Sequence, residues 1–477
     1  MLGISILIII GIIIVVVLVK AIMFKPKEEK FEPIEVREID KTRAVESLQN
    51  MIRIKTVSYN EEEKINMLAF DEFKAYLLER YPNITKNCDR KLFDKTGILY
   101  HYKGKDSSNP TVLMSHYDVV PADESYWTKP AFEGIIEDEV LWGRGTLDTK
   151  TTLCAVMESI ETLIEDGFIP QNDIYMAFSG DEEINGNGQV EIVKYFKENN
   201  ISPALVLDEG GAVVEGVFPG MTQPAALIGI AEKGMMNVDF EVKSKGGHAS
   251  APPSDTPVTT LAKTVVKLQK NPFKTQMTEP TKLMFDTLGR HSTFGYKILF
   301  ANLWLFRPIL NFICTKKGGE LNALMRTTTA FTKMSASETY NVIPPVAKVS
   351  ANLRLLGNDT ADISLNYMNQ VISNKDINIT NVYSMNPSVC SDVDCRGYDI
   401  VKRAVSLTWP EAVVSPYLMI ACSDSRHYGE ISKKVYRFSA MAMTSEERGT
   451  IHGHNERIPL DKIGKAVVFY HRVITQC

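Results

Sequence analysis

The chain has 477 residues, of which 44% are hydrophobic and 23% are charged, which is the composition of an ordinary globular protein with a large core. This length favours two folded units over one. The formal net charge is −5 with acidic and basic residues interspersed, so there is no electrostatic footprint for a nucleic-acid partner and we expect none.

The first predicted element is an uncharged helix at the N-terminus. Residues 2–19 are dominated by Ile, Val and Leu and contain no charged residue. At about 1.5 Å per residue, such a helix nearly matches the ~30 Å hydrocarbon core of a bilayer. The run is longer than the apolar core of a usual signal peptide, and no Lys or Arg precedes it. We therefore predict a transmembrane anchor at residues 1–24, with a cleaved signal as the alternative, and a charged linker at residues 25–41.

The side of the membrane on which the rest of the chain lies is indicated by weaker patterns. Lysines that follow the helix favour a cytoplasmic body. Three N-glycosylation sequons, beginning at Asn83, Asn358 and Asn378, favour a glycosylated body in the lumen or outside the cell. We expect a single-pass protein with a lumenal or extracellular catalytic part, or a secreted protein if the helix is cleaved. Cys390 and Cys395 form either a small disulfide loop or two free thiols.

After the linker, short apolar runs alternate with helical patterns. Runs at 111–114, 173–178 and 204–207 are typical of strands, and residues 151–165 repeat apolar side chains at helical spacing. Strands that alternate with helices predict an α/β domain whose sheet has parallel character. In such sheets, ligands bind at the carboxyl ends of the strands, and polar clusters follow each of the three runs. We predict the first part of a catalytic domain over residues 42–228.

The pattern changes in the middle of the chain. Alternating apolar residues at 238–242 and 349–355 predict half-buried strands, with a helical stripe between them. Such a sheet, with helices on one side, predicts an inserted α+β domain over residues 229–356, after which residues 357–477 return to the catalytic domain. Residues 283–312 are rich in apolar and aromatic side chains. We interpret them as the packed interior of a lid, with an acyl-chain channel or a membrane contact as the alternatives.

The polar clusters contain residue types that bind metals. His116 and Asp118 can point to one side of a strand end, His116 as a ligand and Asp118 as the group that orients its ring. Asp148 lies just before a predicted helix, where its alternative role is an N-cap. Glu182 and Glu183 belong to a run of three acids, which is either a solvated loop or a metal ligand beside a proton-transfer group. Each cluster taken alone is weak evidence.

Two further clusters complete the set. Asp208 begins the sequence Asp-Glu-Gly-Gly, and His452 forms a close pair with His454 in a chain that has only 8 histidines. A surface loop is the alternative for either cluster taken alone. Together, the five clusters contain oxygen and nitrogen donors of the kinds that bind metal ions.

The five clusters, in this order and at similar separations, resemble the signatures of the zinc amidohydrolase and carboxypeptidase family that includes carboxypeptidase S, aminoacylase and bacterial glutamate carboxypeptidase. The resemblance covers essentially all residues after 42 and is greatest to carboxypeptidase S and the N-fatty-acyl-amino-acid synthase/hydrolases. It implies an α/β zinc-peptidase-like catalytic domain with a central mixed sheet and an inserted α+β lid and dimerisation domain. It also implies two Zn²⁺ ions that share Asp148: one bound by His116, Asp148 and Asp208, the other by Asp148, Glu183 and His452.

The same resemblance implies catalytic roles for three other side chains. It makes Glu182 the general base and Asp118 the partner of the His116 ring. It places His248, from the Gly-Gly-His lid motif of a partner subunit, at the oxyanion, and so implies a homodimer. An exposed His in a glycine-rich turn is the alternative for His248.

Three residues are implied to bind the substrate. Arg354 has a planar guanidinium that suits a substrate carboxylate. Asn341 resembles a second substrate-binding position of the family. Ser423 belongs to a loop that the family usually opens with Gly-Gly-Thr, whereas this chain has Ala421-Cys422-Ser423. The departure leaves the backbone of this loop open.

We predict a zinc-dependent hydrolase of the amide bond in N-acyl amino acids, including N-fatty-acyl amino acids, with reversibility left open. A carboxypeptidase that releases C-terminal residues from small peptides is the alternative. In both cases the substrate is a small molecule with a free carboxylate. A membrane-anchored binding protein on an inactive hydrolase fold is disfavoured, because all five candidate ligands and the base are present.

Overall fold

The computed structural model describes residues 2–27 and 29–477; Met1 of the predicted anchor and Glu28 of the predicted linker lie outside the described residues. Helix α1, Leu2–Met23, is long and apolar enough to cross a membrane, and a signal sequence would have the same character. Its residues 3–16 are almost all exposed, whereas Val17 and Ala21 are buried against the rest of the chain. The predicted N-terminal apolar helix is thus confirmed as a helix.

The larger folded unit, which we call the catalytic unit because the sequence predicts that role for it, begins after the linker. Helix α2 starts where the Asp40 carboxylate accepts a hydrogen bond from the backbone N–H of Arg43. The elements of the first half, in chain order, are α2 Lys41–Arg53, α3 Met67–Arg80, α4 Pro82–Asn87, β1 Asp89–Phe93, β2 Gly97–Tyr102, β3 Asp106–His116, β4 Ile135–Glu137, β5 Val140–Trp142, α5 Lys150–Glu165, β6 Asn172–Ser179, α6 Gly188–Glu198, β7 Leu205–Asp208, β8 Val213–Val214 and β9 Ala225–Glu232.

The second half of the chain adds a smaller sheet and then returns to the first one. The middle elements are β10 Gly234–Lys243, β11 Gly247–His248, α7 Pro257–Lys270, α8 Glu279–Gly289, α9 Phe294–Phe300, α10 Leu303–Lys317, α11 Gly319–Ala323, β12 Thr328–Ser335, β13 Val342–Ile343, β14 Val346–Leu355, α12 Ala361–Ile372 and β15 Ile377–Met385. The last are α13 Arg396–Thr408, β16 Val413–Met419, β17 Val435–Arg437, β18 Ala442–Met443, α14 Ser445–Arg448, β19 Arg457–Pro459 and α15 Leu460–Ile474.

A mixed sheet of ten strands, counted over the described residues, forms the centre of the catalytic unit. Its order is β1-β2-β6-β3-β7-β17-β9-β8-β18, with β16 beside β9, and β3 runs parallel to both β6 and β7. Leu113 of β3 packs in the core with α5 and α15, and its neighbours Val112 and Met114 pack with α6 on the other face. The sheet is therefore covered on both faces, as parallel strands require. The predicted α/β fold with a central mixed sheet is confirmed.

A second sheet has the order β12-β14-β10-β15. Burial alternates along β10 and β14, and the buried residues pack against α7 and α12. Since β15 pairs with β10, this unit continues to Met385 and does not end at Leu356, where the alternation in the sequence placed the boundary. The sequence pattern missed β15 because its residues are mostly exposed.

Helices α8 to α10 lie within the predicted insertion but join the catalytic core. Phe285, Leu288 and Phe300 are buried in the same cluster as the central sheet. Phe294 and Trp304, by contrast, are exposed. The interpretation of residues 283–312 as a packed interior therefore describes only part of this segment.

Candidate metal centre and active site

The fold brings three of the polar clusters to one edge of the central sheet. His116 is the last residue of β3, Asp208 is the last residue of β7, and the run containing Glu182 follows β6. Because β6, β3 and β7 are adjacent and parallel, their carboxyl ends meet at the same edge. The clusters with Asp148 and His452 reach this edge from loops before α5 and β19.

Asp148 lies between two imidazoles and faces each with a different oxygen. Its Oδ1 is 3.0 Å from Nε2 of His116, and its Oδ2 is 2.9 Å from Nε2 of His452. A second carboxylate oxygen approaches each ring, Glu209 Oε1 at 3.3 Å from His116 and Glu183 Oε2 at 3.1 Å from His452. His116 with Glu209, and His452 with Glu183, thus form two groups of nitrogen and oxygen donors, and the Asp148 carboxylate joins the two groups.

The structure places Glu209, and not Asp208, against His116. Donor atoms of His116, Glu182 and Glu209 lie within 4.8 Å of one another. The Asp208 carboxylate instead accepts the backbone N–H of Ser425 at 3.1 Å. Successive side chains at a strand end point in opposite directions, so only one member of the Asp-Glu pair can face the cluster. The family resemblance implied Asp208 as the ligand, and the local sequence offered no reason to prefer Glu209.

Asp118 organises the backbone of this edge. Nδ1 of His116 donates to the Asp118 carbonyl oxygen at 3.0 Å, and the Asp118 carboxylate is 3.3 Å from the same nitrogen. That contact leaves Nε2 available to bind a cation. The carboxylate also accepts the backbone N–H groups of Glu182 and Glu183, both at 3.2 Å, and the hydroxyl of Ser58 at 2.7 Å. One buried acid therefore positions a ring and two acidic side chains.

Glu456 holds the loop that carries Asp148. Its Oε1 accepts the backbone N–H groups of Gly145, Leu147 and Asp148 at 3.1, 2.7 and 3.2 Å. Its Oε2 accepts from Nη1 of Arg144 at 2.7 Å, and both side chains are buried. No role for Glu456 was predicted from the sequence. The indication in the sequence was its position four residues after the predicted ligand His452.

His452 has an unusual backbone conformation. Its φ of 57° lies in the left-handed region, which few residues other than glycine adopt. Backbone strain of this kind persists where surrounding contacts hold the residue in place, and it is most frequent at functional sites. Hydrogen bonds with Asp148 and Glu183 raise the pKa of His452 to about 10. The second histidine of the pair, His454, stacks instead on Tyr126, with ring centroids 4.9 Å apart.

The cluster contains more acidic groups than its histidines can neutralise. Burial raises the pKa of Glu182 and Asp424 well above their ordinary values and that of Glu209 to about 8, and neighbouring acids contribute. Burial alone would also raise the pKa of Asp148, but its hydrogen bonds with the two histidines lower it. The acids of the cluster are Asp148, Glu182, Glu183 and Glu209, with Asp208 and Asp424 buried beside them, and the imidazoles are His116 and His452. A buried surplus of carboxylates is stable when cations compensate it, so this donor set fits divalent metal ions.

The candidate substrate residues fall into two places. Arg354 of β14 approaches Sγ of Cys422 with Nη1 at 3.5 Å and thus lies beside Ser423. Ser423 donates its N–H and hydroxyl to the buried Glu232, which fixes the loop. His248 of β11 and Asn341, just before β13, are both exposed and lie close together. Within the described ranges, neither side chain forms a hydrogen bond or ion pair with the acidic cluster.

Comparison with known proteins identifies the family. A model of peptidase family M20/M25/M40 matches residues 112–476. The chain belongs to this family. It is 35% identical to probable carboxypeptidase S-like 2 of Dictyostelium discoideum, over 98% of this chain and 92% of that protein. It is also 35% identical to an N-fatty-acyl-amino acid synthase/hydrolase of Xenopus tropicalis, over 92% and 87%. The predicted family resemblance is confirmed.

The M20 fold is also seen in solved structures. An M20 family metallo-carboxypeptidase from Sulfolobus solfataricus aligns with a TM-score of 0.65 and 18% identity, over 91% of this chain and 98% of that one. Members of this family are metal-dependent enzymes that act on amide bonds, so this M20 chain is an enzyme of that class.

The seven cysteines, all of which lie in the described residues, are unpaired, including Cys390 and Cys395.

Proposed function

We propose that this chain is a dinuclear zinc hydrolase that cleaves the amide bond of N-acyl amino acids. The observation that carries the proposal is the shared carboxylate of Asp148, which faces one imidazole with each oxygen. We assign His116, Asp148 and Glu209 to one ion and Asp148, Glu183 and His452 to the other. When bound, such ions polarise an amide carbonyl and lower the pKa of water. Nitrogen and oxygen donors in sets of this kind suit Zn²⁺.

Glu182 is the group we assign to proton transfer. Burial raises its pKa well above the ordinary value, which suits a carboxylate that accepts a proton and later returns it near neutral pH. Its Oε atoms accept the proton of the attacking water and then donate it to the leaving amine nitrogen. The hydrogen bond from its backbone N–H to Asp118 holds the side chain at the cluster.

Substrate preference follows from Arg354 and from the relatives. The position of the Arg354 guanidinium beside the Ser423 loop supports a role in binding the carboxylate of the released amino acid. The relative from Xenopus tropicalis is named for N-fatty-acyl amino acids and is similar over most of both chains. The relative from Dictyostelium discoideum is named as carboxypeptidase S-like, which favours C-terminal residues of small peptides as the second candidate substrate.

Helix α1 is proposed to stay attached as a membrane anchor, with the catalytic unit in the lumen or outside the cell. Burial of Val17 and Ala21 against the body supports retention of the helix. The sequon residues Asn358 and Asn378 are exposed and Asn83 is half-buried, which supports glycosylation on that side. The exposed position of His248 on β11 supports the proposal that it serves the site of a second copy in a homodimer.

The test compares two substrates with the full-length, zinc-loaded protein in detergent. We expect faster hydrolysis of an oleoyl amino acid than of a dipeptide with the same C-terminal residue. The Glu182→Gln variant should lose turnover on both, because the proton-transfer group is gone, and should retain both zinc ions by metal analysis. Faster cleavage of the dipeptide would favour the carboxypeptidase, and undiminished turnover in Glu182→Gln would contradict the assigned mechanism.

A further inference from the structure

Helix α10 has apolar side chains on two opposite faces. Leu310 and Cys314 are buried against the catalytic unit. Leu305, Ile309 and Phe312, at helical spacing on the other side, are exposed, Ile309 to 52% and Phe312 to 64%. A surface helix of a soluble domain places polar residues on the side that faces water. This exposed face of α10 is therefore as apolar as a buried helix face, and no other segment of the described residues covers it.

The exposed apolar surface continues onto helix α9. Phe294 and Tyr296 are exposed there, and α9 and α10 are bent by 104° at the break between them. The 15 residues of α10 span about 22 Å, less than the ~30 Å hydrocarbon thickness, and Pro308 and Arg307 interrupt its middle. Helix α10 alone is thus too short to cross a bilayer, and the 104° bend prevents α9 and α10 from forming one straight span, so both are suited to lie along its surface.

The same surface is continuous with α1. The buried side chain of Asn302 donates to the Val17 carbonyl oxygen at 3.1 Å, and Nζ of Lys20 lies 5.6 Å from the centre of the Trp304 ring. Trp304 is itself exposed. Aromatic and basic side chains are typical of the boundary between hydrocarbon and water. A bilayer that surrounds the exposed part of α1 would therefore meet α10 at the level of Trp304.

Charge on this segment favours a lipid surface as its cover. Residues 287–319 contain no Asp or Glu; of their five Arg and Lys residues, Arg290 is paired with Asp286 just before the segment, and the other four are Lys297, Arg307, Lys316 and Lys317. Apolar side chains next to cations match the acyl chains and phosphates of phospholipids. A second copy of the chain would instead bring two sets of cations together across a symmetric contact.

We propose that α9 and α10 dock on the surface of a phospholipid bilayer beside α1, as a second membrane contact of this enzyme. The inference rests on the proposed anchoring of α1 and is independent of the substrate. It gives the catalytic unit a fixed orientation, because two contacts with the membrane remove the rotation that one helical anchor allows.

The test measures tryptophan quenching by brominated lipids in full-length protein reconstituted into vesicles of phosphatidylcholine and phosphatidylserine. The chain has 4 tryptophans, and Trp304 is the one on α10. We expect Trp304→Phe to lose the quenched part of the fluorescence. Adding Phe312→Trp to that variant should restore quenching at the far end of α10. Bromines near the headgroups should quench more than those at the chain ends, because an interfacial helix is buried by ~5–10 Å.

The matched control is Tyr340→Trp in the Trp304→Phe background, since Tyr340 is fully exposed on the lid. We expect no lipid quenching from this position. A protein that floats with the vesicles but shows no more quenching from Phe312→Trp than from Tyr340→Trp would overturn the docking. Cross-linking of the exposed face of α10 to a second copy would also count against it, because that copy would then be its cover. Failure to float would overturn the anchoring as well. Neither readout depends on turnover, so hydrolysis is tested separately.

Discussion

Replacing Glu456 by Gln tests whether this buried acid holds the metal-binding loop. The carboxylate accepts three backbone N–H groups of the Asp148 loop and one hydrogen bond from Arg144. A Gln oxygen can keep the backbone contacts, but its amide NH₂ must then face Nη1 of Arg144, donor against donor. The charge of Arg144, whose side chain is only 3% exposed, loses its ion-pair partner.

The expected cost follows from the burial of this pair. Removal of one partner from a buried ion pair typically costs about 3–5 kcal/mol, because the other charge remains unpaired. We expect a decrease of that size in the free energy of unfolding, measured by denaturant titration of the zinc-loaded protein. Zinc affinity should also fall by about 10–100-fold, as is typical when a group that orients metal ligands is lost.

Two further variants make the result specific. Glu446→Gln removes an exposed partner of Arg457, with Glu446 79% exposed, and should cost about 0–1 kcal/mol. Adding Arg144→Met to Glu456→Gln should recover part of the lost stability, because the unpaired buried charge is gone. A Glu456→Gln variant no less stable than Glu446→Gln, with unchanged zinc affinity, would refute the reasoning.

Three further predictions concern the metal centre and the lid. Metal analysis should find that Glu209→Gln loses one zinc ion whereas Asp208→Asn keeps both; the reverse would restore Asp208 as the ligand. Without metal, the pKa of Glu209 is about 8 in the folded chain against 4.5 ordinarily, so the folded state binds the proton more tightly. Glu209 alone should therefore make the stability of the metal-free protein fall by about 1.4 kcal/mol per pH unit between about pH 5 and about pH 7, and the raised pKa values of Glu182 and Asp424 should steepen this fall. Zinc should abolish the slope in denaturant titrations, and a flat metal-free profile would argue against it. Mixing inactive His248→Ala with inactive Glu182→Gln should restore part of the activity through mixed dimers, and no recovery would place His248 outside the partner's site.

Much of the site was predictable from local sequence because ligand chemistry depends on residue type. Imidazoles and acids followed predicted strands in an order that resembled one family, and the apolar N-terminal run predicted its own helix. The extent of the second sheet was not predictable in this way. Strand β15 is identified by its pairing with β10, a contact between distant parts of the chain that leaves little alternation in an exposed strand.

The sequence by itself determined the kind of enzyme: the metal-binding residue types, their order along the chain and the apolar helix before them. Tertiary structure alone decided which of two adjacent acids, Asp208 or Glu209, faces His116, since that depends on how β7 enters the sheet edge. It also decided that Glu456 supports the Asp148 loop and that one apolar face of α10 remains exposed. These features arise from packing between segments far apart in the chain, and local patterns of residues do not contain that information.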